Sequence, residues 1–275
     1  MNGVKVGIIG IGNMGSAHLR MITGGNIPDM TVTAVCDIDT EKLNAARNTY
    51  PALRVFEDYT DLLKNSDTNA VIIAVPHPLH AKIAIEAFKY GKHVLVEKPL
   101  DITVSAAEDL CAAAEKSGKV FAIMFNQRTN GLFRKAREIV KSGELGELKR
   151  SVWIITNWYR TQSYYDSGSW RATWAGEGGG VLLNQAPHNL DIWQWICGSP
   201  SAVTAFCSVG KFHNIEVEDE ATIYAEYENG ATGVFITSTG DCPGTNRLEI
   251  TGTRGKLVLE NGILKLWKLN EDERD

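Results

Sequence analysis

The chain has 275 residues, with 28 Lys and Arg against 33 Asp and Glu, a formal net charge of −5 and 44% hydrophobic residues. That length holds one large or two modest domains with their own cores, and 22% charged residues exclude a disordered chain. The mild acidity argues against a general nucleic-acid binder, which carries a basic stripe, and points to small-molecule partners. No apolar run reaches the roughly 18 residues that span a bilayer, so no membrane segment is expected. The N-terminus lacks the basic-then-apolar pattern of a signal peptide, and a cytoplasmic protein is expected. Cys36, Cys111, Cys197, Cys207 and Cys242 are scattered singly. This spacing predicts buried reduced thiols, with no metal cluster and no disulfide framework.

From residue 4 to about 140, short apolar runs alternate with helical patterns. The runs are residues 4–10, 31–37, 70–75, 93–98 and 119–125, and residues 79–90 and 103–117 carry apolar residues at three- and four-residue spacing. Strands apolar on both faces and separated by helices imply a doubly wound parallel sheet in an α/β domain.

Gly10-Ile11-Gly12-Asn13-Met14-Gly15 follows the first run and opens a helical stretch at 16–22. Gly10 makes the tight turn, Gly12 lets backbone approach a pyrophosphate and Gly15 allows close helix packing; a plain strand-to-helix turn is the alternative. Asp37 ends the second run, where a carboxylate can take both adenosine ribose hydroxyls or, alternatively, cap a helix starting at Thr40. A 2′-phosphate beside Asp37 meets like charge, so NAD is expected over NADP. Pro76, His77 and His80 end one later run, and Glu97, Lys98 and Pro99 end another, at the strand ends where open α/β sheets bind ligands. Lys98 there can hydrogen-bond a substrate hydroxyl and stabilise a forming alkoxide, although most lysines are solvated surface charges. His77 and His80 have no further His or Cys at metal spacing, and capping or packing is the commoner role.

After about residue 145 the rhythm changes. Residues 221–227 and 231–237 flank Asn229-Gly230, a hairpin signal, and 247–252, 256–260 and 263–267 follow as an antiparallel meander. A helix is expected over 184–197, stopped by Gly198 and Pro200. On it, Asn184 and His188 share one face, and His suits proton transfer near neutrality, although a lone helix histidine more often packs or caps. Six of the seven Trp and three of the eight Tyr lie between Trp153 and Trp195. Flat faces such as Trp158, Tyr165 and Trp170 beside Arg171 suit a sugar ring, and they suit an oligomer interface equally well.

The glycine loop after the first strand, the strand-ending Glu97-Lys98-Pro99 and the Gly178-Gly179-Gly180 to Pro187-His188 and Asp191 segment together resemble the Gfo/Idh/MocA oxidoreductases. The resemblance implies a Rossmann domain, residues 1–126, and an α+β domain with a large open antiparallel sheet, residues 127–275. It implies NAD-dependent hydride transfer at a sugar, glycoside or polyol hydroxyl carbon, and homodimers or homotetramers built on that sheet. Lys98 matches the family lysine and His188 the histidine that accepts the substrate proton, while Asn126 and Arg128 match positions near nicotinamide and substrate. Asn184 falls where inositol dehydrogenase-like members carry aspartate, and an amide cannot take a proton, which argues against inositol. Members usually run past 300 residues, so the chain is expected to be short or cut. The same fold also admits a glycosidase that recycles bound NAD through transient sugar oxidation, and a non-catalytic nucleotide-binding regulator.

Overall fold

The computed structural model describes residues 3–272, which fall into two units divided between Met124 and Phe125. In the first unit β1 (Val4–Ile9), α1 (Asn13–Thr23), β2 (Met30–Cys36), α2 (Thr40–Thr49), β3 (Arg54–Phe56), α3 (Tyr59–Asn65), β4 (Ala70–Ile73), α4 (His80–Lys89), β5 (His93–Val96), α5 (Val104–Ser117) and β6 (Phe121–Ile123) alternate. The strands are parallel in the order β3-β2-β1-β4-β5-β6, so the order reverses between β1 and β4 and leaves a crevice beyond their C-terminal ends.

Strand periodicity explains why helices cover both faces. Val6 and Ile8 of β1 point to one side, where they pack with Leu19 and Ile22 of α1 and Leu43 and Ala46 of α2. Ile9 points to the other side, joining Leu62 and Leu63 of α3, Ile83 and Ala84 of α4 and Leu110 of α5. Helix starts follow capping chemistry. Asp39, rather than Asp37, caps α2 by accepting from the Glu41 and Lys42 amides, and Thr103 caps α5. The three-residue β3 is too short to show a period, and the apolar runs do not disclose it.

The second unit contains α6 (Gly131–Lys141), β7 (Leu148–Ile155), α7 (Gln162–Tyr165), α8 (Pro187–Cys197), β8 (Ala202–Val209), β9 (Glu218–Glu226), β10 (Thr232–Ser238), β11 (Asn246–Gly252), β12 (Gly255–Glu260) and β13 (Ile263–Lys268). Its seven strands run β13-β12-β11-β7-β10-β9-β8. The β9–β10 hairpin turns at Asn229-Gly230, with Gly230 at φ 81°. The expected meander is corrected at its middle. β10 does not pair with β11; β7 lies between them, parallel to β10 and antiparallel to β11. One sheet face packs on α6 and α8 through Phe133, Trp153, Ile192, Trp193, Phe235 and Leu248. The indole of Trp193 stacks on Phe235 with ring centroids 5.5 Å apart and donates to Ser151 Oγ at 2.9 Å.

Two further expectations are corrected. All five cysteines are free thiols, but only Cys36 is buried; Cys111, Cys207 and Cys242 are exposed because they lie on solvent-facing positions of α5, the edge strand β8 and a loop. Asn184 lies in the turn before α8, not on it. Pro187, which has no N–H to satisfy, starts the helix at its first turn, as proline does. Among the described residues no helix is long and apolar enough to cross a membrane, and no three His, Cys, Asp or Glu side chains converge on a metal site.

Candidate active site

In the first unit the glycine loop links β1 to α1. Gly10 has φ 86°, a conformation that disfavours side chains, and a Cβ on Gly15 would overlap the Gly10 carbonyl oxygen, so the helix meets the loop backbone directly. Gly12 differs: nothing lies within 4 Å of where its Cβ would be. Its backbone faces open space at the start of α1, with the first-turn amides of the helix beside it. These residues fit the pyrophosphate of a dinucleotide, because unpaired amides and the positive helix end favour an anion. Asn13 and Met14 form the first turn, and the Met14 side chain is exposed.

Asp37 follows β2 beside that loop. Its carboxylate accepts from the Ile11 amide at 2.8 Å and the Asp39 amide at 3.0 Å, which fixes it against the glycine loop. Pro76, His77 and His80 follow β4, and Glu97 and Lys98 follow β5. His80 is buried, with Nδ1 2.6 Å from the Pro99 carbonyl and Nε2 2.8 Å from the Val75 carbonyl, so a neutral ring donates to one of the two loops, after β4 or after β5, and packs against the other. Burial lowers its pKa, against the raising effect of the two carbonyls. His77 is also buried, its ring 5.8 Å from that of His80, and Lys98 is half-buried.

His18 carries no motif that marks it in the sequence. Its Nε2 lies 2.8 Å from Glu97 Oε1, so a histidine of α1 braces the Glu97-Lys98-Pro99 turn. The available signal was spacing: His18 is three residues after Gly15 and therefore faces the sheet with it.

In the second unit, Asn126 and Arg128 lie in a 3-10 turn, Asn126–Thr129. The Arg128 guanidinium grips Asp191 of α8 with two bonds, Nε to Oδ2 at 2.8 Å and Nη2 to Oδ1 at 2.5 Å, and this pairing raises its pKa. Arg128 thus fastens the turn to α8, and its charge is already matched. His188 is the second residue of α8, its ring edge-on to Phe125 at 6.0 Å. The turn ahead of it hangs on Glu218, whose carboxylate accepts from the Gly180 amide at 2.9 Å and the Leu182 amide at 3.0 Å.

Within the aromatic segment Trp158 and Tyr165 are engaged by the protein's own side chains, while Tyr159 and Trp174 are exposed. Trp158 donates to Asn189 Oδ1 at 3.0 Å and packs on the core. Tyr165 is 6% exposed and donates to Thr239 Oγ1 at 3.0 Å; burial pushes its pKa up to about 12. Its ring packs with Ala172 and Val217 and offers no face to a ligand. Arg171 lies over the rings of Tyr164 and Trp170, each centroid 4.6 Å away. Behind it sits Glu177, 1% exposed, which accepts from the Ala172 amide at 2.8 Å and from Asn184 Nδ2. Neither Glu177 nor Asp191 stands out in the sequence as a site residue. An acidic residue directly before three glycines was the only hint of the first, and nothing local pairs Arg128 with a residue 63 positions away.

Residues 4–125 match a family described as "Oxidoreductase family, NAD-binding Rossmann fold", and residues 133–258 match "GFO/IDH/MocA C-terminal domain". A 1-carboxy-3-chloro-3,4-dihydroxycyclo hexa-1,5-diene dehydrogenase of Comamonas testosteroni is 31% identical over 96% of this chain and 69% of its own length. A myo-inositol 2-dehydrogenase of Thermotoga maritima is 24% identical over 94% of this chain and 75% of its own. A WlbA dehydrogenase from Bordetella pertussis, solved in complex with NADH and UDP-GlcNAcA, superposes with a TM-score of 0.90 at 25% identity, covering 98% of this chain and 82% of that one. With an NAD-binding Rossmann unit and a sheet unit matched in order, the chain belongs to the Gfo/Idh/MocA family of oxidoreductases.

Proposed function

We propose that the protein is an NAD-dependent dehydrogenase acting on a ring hydroxyl of a sugar or polyol. The observation that carries this reading is the open backbone at Gly12 beside the start of α1, in a chain that also retains Lys98 and His188 at the family's motif positions. Relatives that act on hydroxylated rings or bind a nucleotide sugar support the substrate class.

Bound NAD supplies the hydride acceptor. The chain's residues do the rest: the glycine loop and α1 take the pyrophosphate charge, and Asp37 accepts hydrogen bonds from the adenosine ribose. Asp37 also disfavours NADP, because a 2′-phosphate would stand beside a carboxylate already held at the loop. His188 Nε2 or Nδ1 takes the proton of the hydroxyl being oxidised, and Lys98 orients that hydroxyl and stabilises its developing charge. Trp170, Arg171 and Asn184 border the substrate. Dimers or tetramers would use the sheet face away from α6 and α8, which exposes Tyr224 and Trp267; light scattering at graded concentration tests this.

The deciding experiment is a panel of sugars, glycosides, inositols and sugar acids with NAD and with NADP, read by nicotinamide absorbance. Turnover of at least one ring alcohol with NAD is expected. Nucleotide binding with no turnover across the panel would refute the dehydrogenase reading, and tighter NADP binding would refute the role of Asp37.

A further inference from the structure

Asn184 is held from behind. Its Nδ2 donates to Oε1 of the buried Glu177, whose Oε2 accepts from the Ala172 amide at 2.8 Å. Arg171 Nη1 stands 4.0 Å from the same Oε1, at the limit of an ion pair, while its Nε and Nη1 donate to Ser167 Oγ at 3.1 Å and Tyr164 Oη at 3.0 Å. An ionised carboxylate only accepts hydrogen bonds, so the amide can present only its NH2 end to Glu177. A flipped Asn184 would set its carbonyl oxygen against the carboxylate. The amide orientation is therefore fixed, with Oδ1 at the end away from Glu177, and the buried charge polarises the amide toward a stronger acceptor at that end.

We infer that Glu177 is a positioning residue: it fixes Asn184 as a neutral hydrogen-bond acceptor for a substrate hydroxyl, and it excludes a carboxylate from position 184. The inference rests on the dehydrogenase reading for the substrate's identity, but not for the coupling between the two side chains. Its consequence runs against simple analogy. An aspartate at 184 would restore the residue type expected of inositol dehydrogenase-like sequences, yet here it would set a second carboxylate against the buried one of Glu177, where like charges oppose each other.

The test is a double-substitution cycle of Asn184→Asp, Glu177→Gln and both together, in the full chain. Melting temperature without ligand is one readout, and kcat and KM on the best substrate of the panel are the other. Asn184→Asp should melt lower than wild type. Glu177→Gln offers one oxygen and one NH2 to two donors, so Asn184 loses its fixed orientation. KM for the alcohol should then rise by about two- to tenfold, the scale of one lost hydrogen bond between neutral groups, with nucleotide affinity unchanged. The double variant pairs a glutamine NH2 with an aspartate oxygen and should recover in melting temperature and kcat/KM above both single variants. A merely structural brace at Ala172 predicts no such rescue. The inference is overturned if Asn184→Asp is as stable as wild type, or if the double variant melts no higher than the worse single one. Coupling in the melts without turnover anywhere in the panel would sink the dehydrogenase reading and leave the Glu177–Asn184 coupling standing.

Discussion

Adding one methyl group to the glycine loop separates folding from nucleotide binding, because Gly12 and Gly15 meet opposite surroundings three residues apart. Gly12 has φ −68° and extended backbone, which an L-residue adopts, and its Cβ would meet nothing within 4 Å. Gly12→Ala should leave the nucleotide-free protein unharmed, and by restricting the unfolded chain it should stabilise it by about 0.4–1 kcal/mol. In a chain of this size that amounts to a rise in Tm of only about 1–4 °C. The same methyl occupies the space through which a pyrophosphate approaches the backbone, so NAD affinity should fall by at least about tenfold, or about 1.4 kcal/mol. Gly15→Ala should behave in reverse. Its Cβ would overlap the Gly10 carbonyl oxygen, so α1 must move off the loop, at a cost of about 1–3 kcal/mol to the empty protein. Calorimetric melts of both variants without nucleotide, paired with titration calorimetry of NAD, read the two effects separately. A Gly12→Ala protein that melts well below wild type, or binds NAD as tightly, would refute the assignment of that open space to the pyrophosphate.

Three other outcomes follow from the geometry. His188→Ala should lower turnover by about 10²- to 10⁴-fold with NAD affinity nearly intact, and equal turnover on a confirmed substrate would remove His188 from the role of base. Because burial holds the His80 pKa below its ordinary value of 6.5, the unfolded chain binds a proton there before the folded one does. The stability of neutral His80 is therefore complete above about pH 6.5 and lost on acidification, so wild type should lose more stability than His80→Gln between pH 8 and pH 5. Parallel stability curves for the two proteins would contradict this. Tyr165→Phe should cost about 1 kcal/mol of stability through the lost bond to Thr239 and leave KM unchanged, and a raised KM would return Tyr165 to the substrate pocket.

Periodicity made most of the fold legible, and its failures share a cause. Alternation along a strand says which face is buried but not which strand lies beside it. The hairpin at Asn229-Gly230 was readable because its partners are adjacent in the chain. The parallel pairing of β7 with β10 joins Val152 to Val234 and leaves no local trace. β8 was obscure for another reason. It is an edge strand whose apolar alternation, Val203, Ala205, Cys207 and Val209, stays exposed instead of facing the core.

The site follows a related rule, in which a sequence announces a demand but not who meets it. His18 lies on the helix face that packs on the sheet, and its half-hidden imidazole requires a partner; the partner is Glu97, 79 residues away. Asn184, four residues after the last of three glycines, is visible as a substitution of amide for acid, and the inferred reason lies seven residues upstream, in the buried carboxylate of Glu177. Lys98 and His188 could be named from their motifs, and in the proposed function each is an end point, a group assigned to meet the reacting molecule. Glu177 and Asp191 act on other protein groups, so only the fold reveals them, and for Glu97, legible in its motif, only the fold reveals the partner His18. Substitutions at these three should therefore alter how the named residues work before they alter which residues are present, and the cycle at Glu177 and Asn184 measures that dependence directly.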